Sequence, residues 1–267
     1  MLKTLLVLPF ILFSAKVHAL IGGTEVLDTE QVSKSVMALQ MAEVQQNGST
    51  HFYKASGVLI RQDAILTAGH NFFYLKDITK SEAIFSVTPA WGKDCHGQKR
   101  INVKKVLLYP GFFQGPLGAQ NDLAIVILAE PAPAEHIPLE IELDGNYPPV
   151  DQEEGLLLGY GRSSENTGAA ISDYRLRRLE LKFARWDNSS IADSQKIWFS
   201  NKNGSIAGGD SGGPVLFKRD EKFKIFGIGI HEGYDTCVNT KTCEAQSAYS
   251  NSTFFAGWIK KTIHGEY

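Results

Sequence analysis

The sequence has few cysteines and no excess of charge of either sign. Its 267 residues include three cysteines, too few for a small domain built on many disulfide bonds, and because three is odd at least one thiol is left over. The formal net charge is −2 and the isoelectric point about 6.4, whereas nucleic-acid-binding domains usually exceed about 9, so we expect no nucleic-acid partner. Hydrophobic residues make up 43% of the chain, which is enough to fill a core and excludes wholesale disorder.

The sequence also has no apolar run long enough to span a membrane, and its N-terminal apolar segment covers only residues 5–13. Lys3 precedes an apolar run at residues 5–13, and the small residues Val17 and Ala19 follow it. This pattern is typical of a secretory signal peptide, whereas a membrane-spanning helix needs roughly 20 apolar residues. We therefore expect residues 1–19 to be a signal peptide and the remaining chain to be secreted, either extracellular or periplasmic, without a membrane partner after signal removal.

Short apolar runs bounded by turn-forming residues make up most of the remaining chain. They lie at residues 58–60, 64–67, 103–108, 123–128, 156–158 and 223–230. Runs of this kind predict an all-β fold, either a barrel or a sandwich.

Helical spacing is clear only near the end of the chain. Four large apolar residues fall on one helical face there: Phe254, Phe255, Trp258 and Ile259. Ser252 or Thr253 is the expected N-terminal cap of this helix. The proline-rich stretch at residues 129–149 indicates a connector between two halves.

Three short segments carry the groups that nucleophilic catalysis needs. Ser211 lies in the glycine-rich turn at residues 208–215, His70 follows one apolar run, and Asp122 precedes another. Serine is a weak nucleophile until a base takes its proton, histidine is the usual base near neutral pH, and a buried carboxylate fixes the histidine tautomer. Glycines also let a substrate carbonyl approach backbone N–H groups that stabilise an oxyanion. Together the three segments indicate catalysis by an activated serine.

These segments, in this order, resemble the trypsin-fold (chymotrypsin-family) serine proteases, and the likeness runs from Ile21 to about residue 263. Further matching motifs lie at residues 21–24, 56–60, 106–110, 159–161, 248–249 and 258–259. The resemblance implies two packed antiparallel β-barrels with a short C-terminal helix, and a protease domain at residues 21–267. It also implies a secreted endopeptidase that hydrolyses a protein or peptide substrate through an acyl-enzyme, as a monomer and without a metal or organic cofactor.

The resemblance assigns a role to each residue of the catalytic machinery. Ser211 would attack the scissile carbonyl, and His70 would act first as general base and then as general acid. Asp122 would orient and stabilise the imidazolium. The N–H groups of Gly209 and Ser211 would form the oxyanion hole.

The resemblance also implies how the N-terminus matures. The freed α-amino group of Ile21 would pair with Asp210 inside the fold and shape the oxyanion hole. A buried ammonium–carboxylate pair holds only when both partners are present, so an N-terminus one residue longer could not form it. The best signal-peptidase site follows Ala19, which would make Leu20 a one-residue pro-segment. Either an aminopeptidase removes Leu20 or signal peptidase cuts after it, and by both routes we expect the active enzyme to begin at Ile21.

The resemblance places Ser205 at the base of the primary specificity pocket and Ser247 on one wall. An aspartate at the base would select lysine or arginine, so trypsin-type selectivity is not expected. The opposite wall has two alternative registrations, because residues 227–228 and 229–230 both read Gly-Ile, and the second registration puts His231 in the pocket. A histidine with two serines would receive a carboxylate side chain. The other hypothesis is a polar, partly narrowed pocket with a broad or small-residue preference.

The low cysteine content distinguishes the chain from animal relatives, which usually carry disulfides beside the histidine and the pocket. The matching positions here carry other residues: Ala55, Asn71 and Ala207. One short disulfide is still expected between Cys237 and Cys243, which leaves Cys95 as the odd thiol. Cys95 has only His96 beside it, so no metal site is expected. The pattern favours a bacterial-type member with few disulfides.

Two other interpretations stay open. The turn at Ser211 also fits the Gly-x-Ser-x-Gly elbow of α/β-hydrolases, but that fold requires strand–helix alternation and a late histidine such as His231 or His264. A catalytically silent homologue used for binding would usually lack a residue of the triad, and here all three are present. Reaction of Ser211 with a serine phosphonate would separate an enzyme from a binding module.

Overall fold

Short strands joined by turns make up most of the structure, a computed structural model that describes residues 20, 23–73, 75–91, 98–115, 118–145, 148–162, 174–186, 195–201, 204, 206–232 and 245–265. The strands are β1 (Thr24–Glu25), β2 (Val36–Val44), β3 (Thr50–Arg61), β4 (Ala64–Thr67), β5 (Glu82–Phe85), β6 (Lys99–Leu108), β7 (Phe113–Gly115), β8 (Gly118–Gln120), β9 (Ala124–Leu128), β10 (Glu140–Ile141), β11 (Glu154–Gly159), β12 (Arg177–Trp186), β13 (Lys196–Asn201), β14 (Pro214–Arg219), β15 (Lys222–Glu232) and β16 (Ala245–Asn251). The helical segments are the 3-10 helices Gln31–Lys34 and Ile78–Lys80 and the α-helices α1 (His70–Phe73) and α2 (Ala256–Ile263).

In the first half of the chain, six of the described strands close into an antiparallel barrel in the order β2-β3-β4-β9-β6-β5. Side chains alternate between the two faces of a strand, so every second residue of β2 points into this first barrel. Met37, Leu39 and Met41 do so and are at most 1% exposed. They pack there against Leu59 and Ile65 of the neighbouring strands.

In the second half, described strands form a second barrel in the order β12-β11-β14-β15-β16-β13, and β13 pairs back with β12 to close it. Its interior holds large side chains that include Leu157, Phe199, Phe217 and Tyr249. The rings of Phe199 and Tyr249 meet edge to face, with their centroids 5.1 Å apart. The expected architecture of two packed antiparallel barrels is therefore confirmed.

A third cluster of buried side chains lies between the two barrels. Leu158 belongs to it, whereas the preceding Leu157 points into the second barrel. Leu66 belongs to it as well, whereas Ile65 points into the first barrel. Because both faces of β4 and β11 are covered by apolar side chains, these strands are continuous apolar runs rather than alternating ones. The same residues that form the strands therefore fix the two barrels against each other.

The C-terminal helix α2 follows the last strand of the second barrel and packs beside the end of β6 in the first. The rings of Phe255 and Trp258 meet Tyr109 edge to face, at 4.7 and 5.4 Å between centroids. The predicted helix is confirmed, but its expected cap is wrong, because Phe255 is the N-cap residue and no side chain caps it. The hydroxyl of Ser252 is instead directed at backbone carbonyls, that of Glu142 in the connector and those of Ile225 and Phe226 in β15.

The connector predicted at residues 129–149 contains one short strand among its described residues, β10, which pairs in parallel with β15. Before Ser211 the described chain runs through successive strands without strand–helix alternation, which removes the α/β-hydrolase interpretation. In the part of the chain that the structure describes, no helix is long and apolar enough to cross a membrane.

Candidate active site

His70 and Asp122 lie side by side because the strands that carry them are paired. β4 and β9 are antiparallel neighbours with Thr67 opposite Ala124, so the segment after β4 and the segment before β9 meet at one end of the first barrel. Nδ1 of His70 lies 2.6 Å from Oδ2 of Asp122. The backbone N–H of His70 donates to Oδ1 of the same carboxylate at 2.8 Å. Both oxygens of the Asp122 carboxylate are therefore bonded to His70.

The carboxylate of this pair is buried and the imidazole is partly exposed. The side chain of Asp122 is 0% exposed and that of His70 is 25% exposed. Because an ionised carboxylate only accepts hydrogen bonds, the proton of a neutral imidazole is held on Nδ1 and the lone pair lies on Nε2. This is the tautomer that a general base requires.

The surroundings of the His70–Asp122 pair are tightly packed beside the histidine and hydrogen-bonded beside the aspartate. A side chain at Gly69 would put its Cβ 2.9 Å from the ring of Phe112 and 3.2 Å from the carbonyl oxygen of Leu123, so a larger residue before His70 would force these neighbours to shift. Ser250 of β16 donates its hydroxyl to the backbone carbonyl of Asp122 at 2.8 Å. The aspartate is thus held by its own barrel through the side chain and by the second barrel through the backbone.

Ser211 and His70 line the same cavity, which has a volume of about 220 Å³. No hydrogen bond joins the Ser211 hydroxyl to the His70 ring among the described residues. Catalytic hydrogen bonds are often long without substrate and tighten when it binds. The structure therefore brings His70, Asp122 and Ser211 to one cavity, and bonds only the first two to each other.

The first candidate donor of the oxyanion hole is aimed by a backbone contact. The carbonyl of Gly208 accepts a hydrogen bond from the N–H of Arg162 at 3.0 Å. In a trans peptide the C=O and N–H point in opposite directions, so the N–H of Gly209 points away from Arg162. That N–H donates to no described residue.

The second candidate donor is aimed in the same way. The carbonyl of Asp210 accepts a hydrogen bond from the N–H of Gly213 at 2.8 Å, so the N–H of Ser211 points away from Gly213. It too donates to no described residue. Oriented and unused N–H groups are what an oxyanion hole requires.

The glycines of this turn are required by its backbone and by its neighbours. Gly209 has φ +103° and Gly212 has φ +87°, values that glycine adopts without steric cost. A Cβ at Gly212 would lie 2.0 Å from Oγ1 of Thr67 and 2.1 Å from the carbonyl oxygen of Ser56. The glycine-rich motif therefore lets the turn lie directly against the first barrel.

Asp210 is 0% exposed, and its carboxylate is held by the backbone. It accepts hydrogen bonds from the N–H of Gly161 at 2.7 Å and of Ala207 at 2.8 Å. Leu20 is also 0% exposed and lies among the core residues of the second barrel. Ile21 lies outside the described residues, so its pairing with Asp210 stays a prediction.

The predicted pocket is described only in part. β15 passes the glycine-rich turn at residues 208–215, here called the nucleophile turn. Gly229 of β15 accepts a hydrogen bond from the N–H of Gly212 and donates its own N–H to the carbonyl of Gly213. His231 lies on β15 and Ser247 on the neighbouring β16, where the structure describes their backbone, and Ser205 lies outside the described residues. All three cysteines lie outside them as well: Cys95, Cys237 and Cys243. The pocket and the disulfide stay predictions.

Sequence reasoning missed a group of polar residues in the first barrel that hold the nucleophile turn. The N–H of Ser56 donates to the carbonyl of Ser211 at 2.9 Å, and Nδ2 of Asn71 donates to the same carbonyl at 3.3 Å. The hydroxyl of Thr67 donates to the carbonyl of Ser56 at 2.8 Å. The usable signal was a serine inside an otherwise apolar strand segment, because buried polar groups have hydrogen-bond partners.

The cavity that Ser211 and His70 line also contains a lysine side chain, Lys54. The Lys54 ammonium lies 3.7 Å from the ring centroid of Tyr174 and 4.9 Å from that of Trp91, and burial lowers the pKa of Lys54. Met41 and Leu75 add apolar lining. Among the described residues no group of three His, Cys, Asp or Glu residues is placed to hold a metal ion.

Comparison with known proteins agrees with this geometry. A sequence model of the family described as Trypsin matches residues 30–259, which is most of the chain. The chain belongs to the trypsin family. The matched range contains the histidine, the aspartate and the glycine-rich serine turn of this trypsin-family protein.

The curated relatives of this trypsin-family protein include chymotrypsin-like elastase family member 1 from three mammals. The chain is 21% identical to the Macaca fascicularis protein over 260 residues, covering 91% of this chain and 89% of the relative. The Bos taurus protein is 21% identical over 252 residues, with the same coverage of 91% and 89%. The Homo sapiens protein is 20% identical over 263 residues, covering 91% of this chain and 92% of the relative. The chain is therefore a serine endopeptidase of the chymotrypsin family, and its substrates are proteins or peptides.

Proposed function

We propose that this trypsin-family protease is secreted and cleaves peptide bonds through an acyl-enzyme. In this proposal Ser211 is the nucleophile, His70 the general base and acid, and Asp122 the carboxylate that orients the histidine. The observation that supports it most is the pair of hydrogen bonds by which Asp122 holds His70 at the cavity that Ser211 also lines. Nucleophile, base and orienting group in one cavity are the arrangement that acyl transfer needs.

Acylation begins when the Ser211 hydroxyl attacks the carbonyl carbon of the scissile bond. Its proton passes to Nε2 of His70, and the buried carboxylate of Asp122 stabilises the resulting imidazolium. The carbonyl oxygen becomes an oxyanion that accepts hydrogen bonds from the N–H groups of Gly209 and Ser211. His70 then gives the proton to the leaving amine, and the C–N bond breaks to leave an ester on Ser211.

Deacylation repeats these steps with water as the nucleophile. His70 takes a proton from the water, and the hydroxide attacks the ester carbonyl to form a second oxyanion in the same hole. When this intermediate collapses, the C–O bond to Ser211 breaks and His70 returns the proton to the serine. The cycle uses side chains of the triad, two backbone N–H groups and water.

Reaction with a fluorophosphonate probe tests the assignment. The wild-type protein should be labelled and should cleave a peptide library, and Ser211→Ala should lose both properties. Ser252→Ala is the matched control, since Ser252 is a buried serine without a proposed catalytic role, and it should be labelled like the wild type. Labelling that persists in Ser211→Ala would refute the nucleophile, and a folded wild type that neither reacts nor cleaves would support the binding-module alternative.

Maturation at the N-terminus belongs to the same proposal. Residues 1–19 are the signal peptide, Leu20 is a one-residue pro-segment, and the freed amino group of Ile21 pairs with Asp210. The burial of Asp210, which is 0% exposed, supports this, because a cationic partner stabilises a carboxylate that has been removed from water. N-terminal sequencing of the active secreted protein should read Ile21, and a reading of Leu20 alone would contradict the proposal.

The specificity pocket of this proposal involves Ser205, His231 and Ser247. It has two candidate chemistries, which depend on whether His231 faces the substrate. With His231 in the pocket it would receive an acidic side chain, although Glu232 beside it opposes a second negative charge. Otherwise the pocket is polar and partly narrowed, with a broad or small-residue preference. A peptide-library cleavage profile decides between them, because no preference for Glu or Asp before the cut would remove the acidic hypothesis.

The remaining features of the proposal concern the secreted molecule. We expect an active monomer of bacterial type, with Cys237 and Cys243 joined and Cys95 free. Size-exclusion chromatography with light scattering should give the mass of one chain, and peptide mapping without reduction should find the Cys237–Cys243 bridge. A dimer, or a bridge that includes Cys95, would contradict these expectations.

A further inference from the structure

One carbonyl of the nucleophile turn is held by a side chain of the other barrel. The hydroxyl of Ser56, in β3 of the first barrel, donates to the carbonyl of Gly209 at 2.8 Å. Ser56 is 0% exposed, and its hydroxyl oxygen also accepts the N–H of Tyr160 at 2.9 Å. Because the proton goes to one partner and a lone pair to the other, the hydroxyl is held in one orientation.

The neighbouring carbonyls of the turn are held differently. Those of Gly208 and Asp210 accept hydrogen bonds from backbone N–H groups of the second barrel. The carbonyl of Gly209 lies between them, and Ser56 is the only described residue that donates to it. The bond from Ser56 to this carbonyl is partly buried. Without its donor the carbonyl is left to find another partner, so the peptide that carries it turns more easily.

The N–H of Gly209 belongs to the peptide group before Gly209, and the N–H of Ser211 to the peptide group before Ser211. The peptide between Gly209 and Asp210 lies between these two groups and joins them. Its orientation therefore sets the spacing and relative direction of those N–H groups. Gly209 has φ +103° and no side chain to restrict its backbone, so the residue itself does little to fix this peptide. The N–H of this peptide, that of Asp210, donates to the carbonyl of Ala207 at 2.9 Å. The restraint on its carbonyl end comes from Ser56.

We propose that Ser56 is a positioning residue for the oxyanion hole. Its hydroxyl fixes the peptide after Gly209 so that the N–H groups of Gly209 and Ser211 converge on one oxygen. Ser56 is fully buried and acts through the turn, without touching the substrate. The inference rests on the proposed function, because an oxyanion forms at this place only if Ser211 is the nucleophile.

The experiment compares Ser56→Ala with the wild-type secreted protein. Loss of a whole oxyanion donor costs about 10²–10³ in kcat, and misplacement by about 1 Å costs about 10²-fold, so we expect kcat to fall by about 10- to 100-fold. KM should change by less than about threefold, because the lost interaction acts in the transition state. A peptide aldehyde, whose hemiacetal oxygen with Ser211 occupies the hole, should bind more weakly by the same factor as kcat/KM falls.

Two further variants separate positioning from stability. Ser252→Ala removes an equally buried hydroxyl, which donates to the carbonyl of Glu142 at 2.8 Å, and should lower the melting temperature without changing kcat or aldehyde affinity. Ser56→Cys fills nearly the same space with a weaker donor and should give an intermediate kcat. Rates are expressed per site labelled by the fluorophosphonate, so that unfolded protein does not enter the comparison.

The outcomes distinguish this inference from the proposed function. If the wild type is labelled and Ser211→Ala is not, then wild-type kcat and aldehyde affinity in Ser56→Ala overturn the inference alone. A loss confined to melting temperature or to KM also overturns it. If Ser56→Ala does not fold, wild-type kcat in Ser56→Cys overturns it as well. If the wild type itself is neither labelled nor active, the proposed function fails first.

Discussion

The two barrels contribute to the candidate site in different ways. The first barrel contributes side chains, because His70 and Asp122 bond directly to each other at the ends of paired strands. The second contributes one side chain, that of Ser211, and the backbone N–H groups of Gly209 and Ser211, all in a glycine-rich turn. The side-chain pair is brought together by the register of two neighbouring strands of one barrel. The turn needs contacts from outside its own barrel, so it depends on how the barrels dock.

Each barrel also holds a backbone carbonyl of the catalytic segment in the other. Ser56 of the first barrel donates to the carbonyl of Gly209, and Ser250 of the second donates to that of Asp122. Both bonds are 2.8 Å long, and all four residues belong to segments that meet between the barrels. The geometry of the candidate site therefore depends on how the two barrels dock.

The largest effect in this comparison should come from Asp122→Asn, which changes the side-chain pair and leaves the turn intact. An amide of nearly the same shape turns an N–H toward Nδ1 and favours the wrong imidazole tautomer, so kcat should fall by about 10⁴-fold. The fold should persist, which thermal unfolding would show. Asp144→Asn is the control, since this exposed carboxylate forms a surface ion pair with Lys260 and should keep wild-type kcat. A loss smaller than about tenfold in Asp122→Asn would contradict the role of the pair.

Gly212→Ala should break the turn and leave the side-chain pair intact. Its Cβ would lie 2.0 Å from Oγ1 of Thr67 at φ +87°, so the turn has to move away from the first barrel. We expect a loss of about 1–3 kcal/mol in unfolding free energy and a fall of about 10²-fold in kcat. Gly257→Ala is the matched control, because nothing lies within 4 Å of its Cβ position in α2 and alanine favours a helix. Wild-type activity in Gly212→Ala would show that the turn tolerates displacement.

Most of the fold was predictable because local patterns determine it. The apolar run at residues 64–67 forms strand β4 with the same bounds. The apolar face around Trp258 and Ile259 forms a helix, as its spacing predicts. The cap of that helix was not predictable, because Ser252 finds backbone acceptors in the second barrel that the local sequence does not show. The hydrogen bonds of the Ser252 hydroxyl to distant backbone carbonyls thus outweighed the preference of serine for the N-cap position.

The side chains proposed for catalysis were equally visible in the sequence, whereas the contacts that hold them were not. His70 and Asp122 each stand beside a recognisable apolar run. The bond from Ser56 to Gly209 joins residues 153 positions apart, and it exists only because the two barrels dock in this way. A buried serine between apolar neighbours showed that some partner was needed, but its identity required the structure.

Ser250→Ala removes the reciprocal contact, the hydrogen bond from the second barrel to the backbone carbonyl of Asp122. The carboxylate of Asp122 keeps both bonds to His70 without Ser250, so kcat should fall by less than about tenfold. The loss of one buried hydrogen bond should lower the unfolding free energy by about 1 kcal/mol. Ser56→Ala, in contrast, should weaken peptide-aldehyde binding strongly. Equal losses of aldehyde affinity in the two serine variants would show that both contacts only hold the barrels together.

The smallest effect concerns acid sensitivity at the connector between the barrels. His136 is 8% exposed, its ring stands edge to face with Phe85 of the first barrel, and its Nδ1 donates to the carbonyl of Lys34 at 2.9 Å. Burial lowers the pKa of His136 and outweighs the opposing influence of that hydrogen bond and of Glu135 and Asp28. The native state therefore takes up a proton at lower pH than the unfolded state, whose histidine titrates near about 6.5.

The sign of the pH dependence follows from this lowered pKa. As the pH falls below about 6.5, the unfolded state binds a proton that the native state does not, so stability decreases, by at most about 1.4 kcal/mol per pH unit for one proton. His136→Gln should therefore give a flatter decline of melting temperature between about pH 7 and about pH 5 than the wild type. His264→Gln changes an exposed histidine after α2 and should keep the wild-type slope. If His136→Gln keeps that slope as well, acid destabilises the protein elsewhere than at the connector packed on the first barrel.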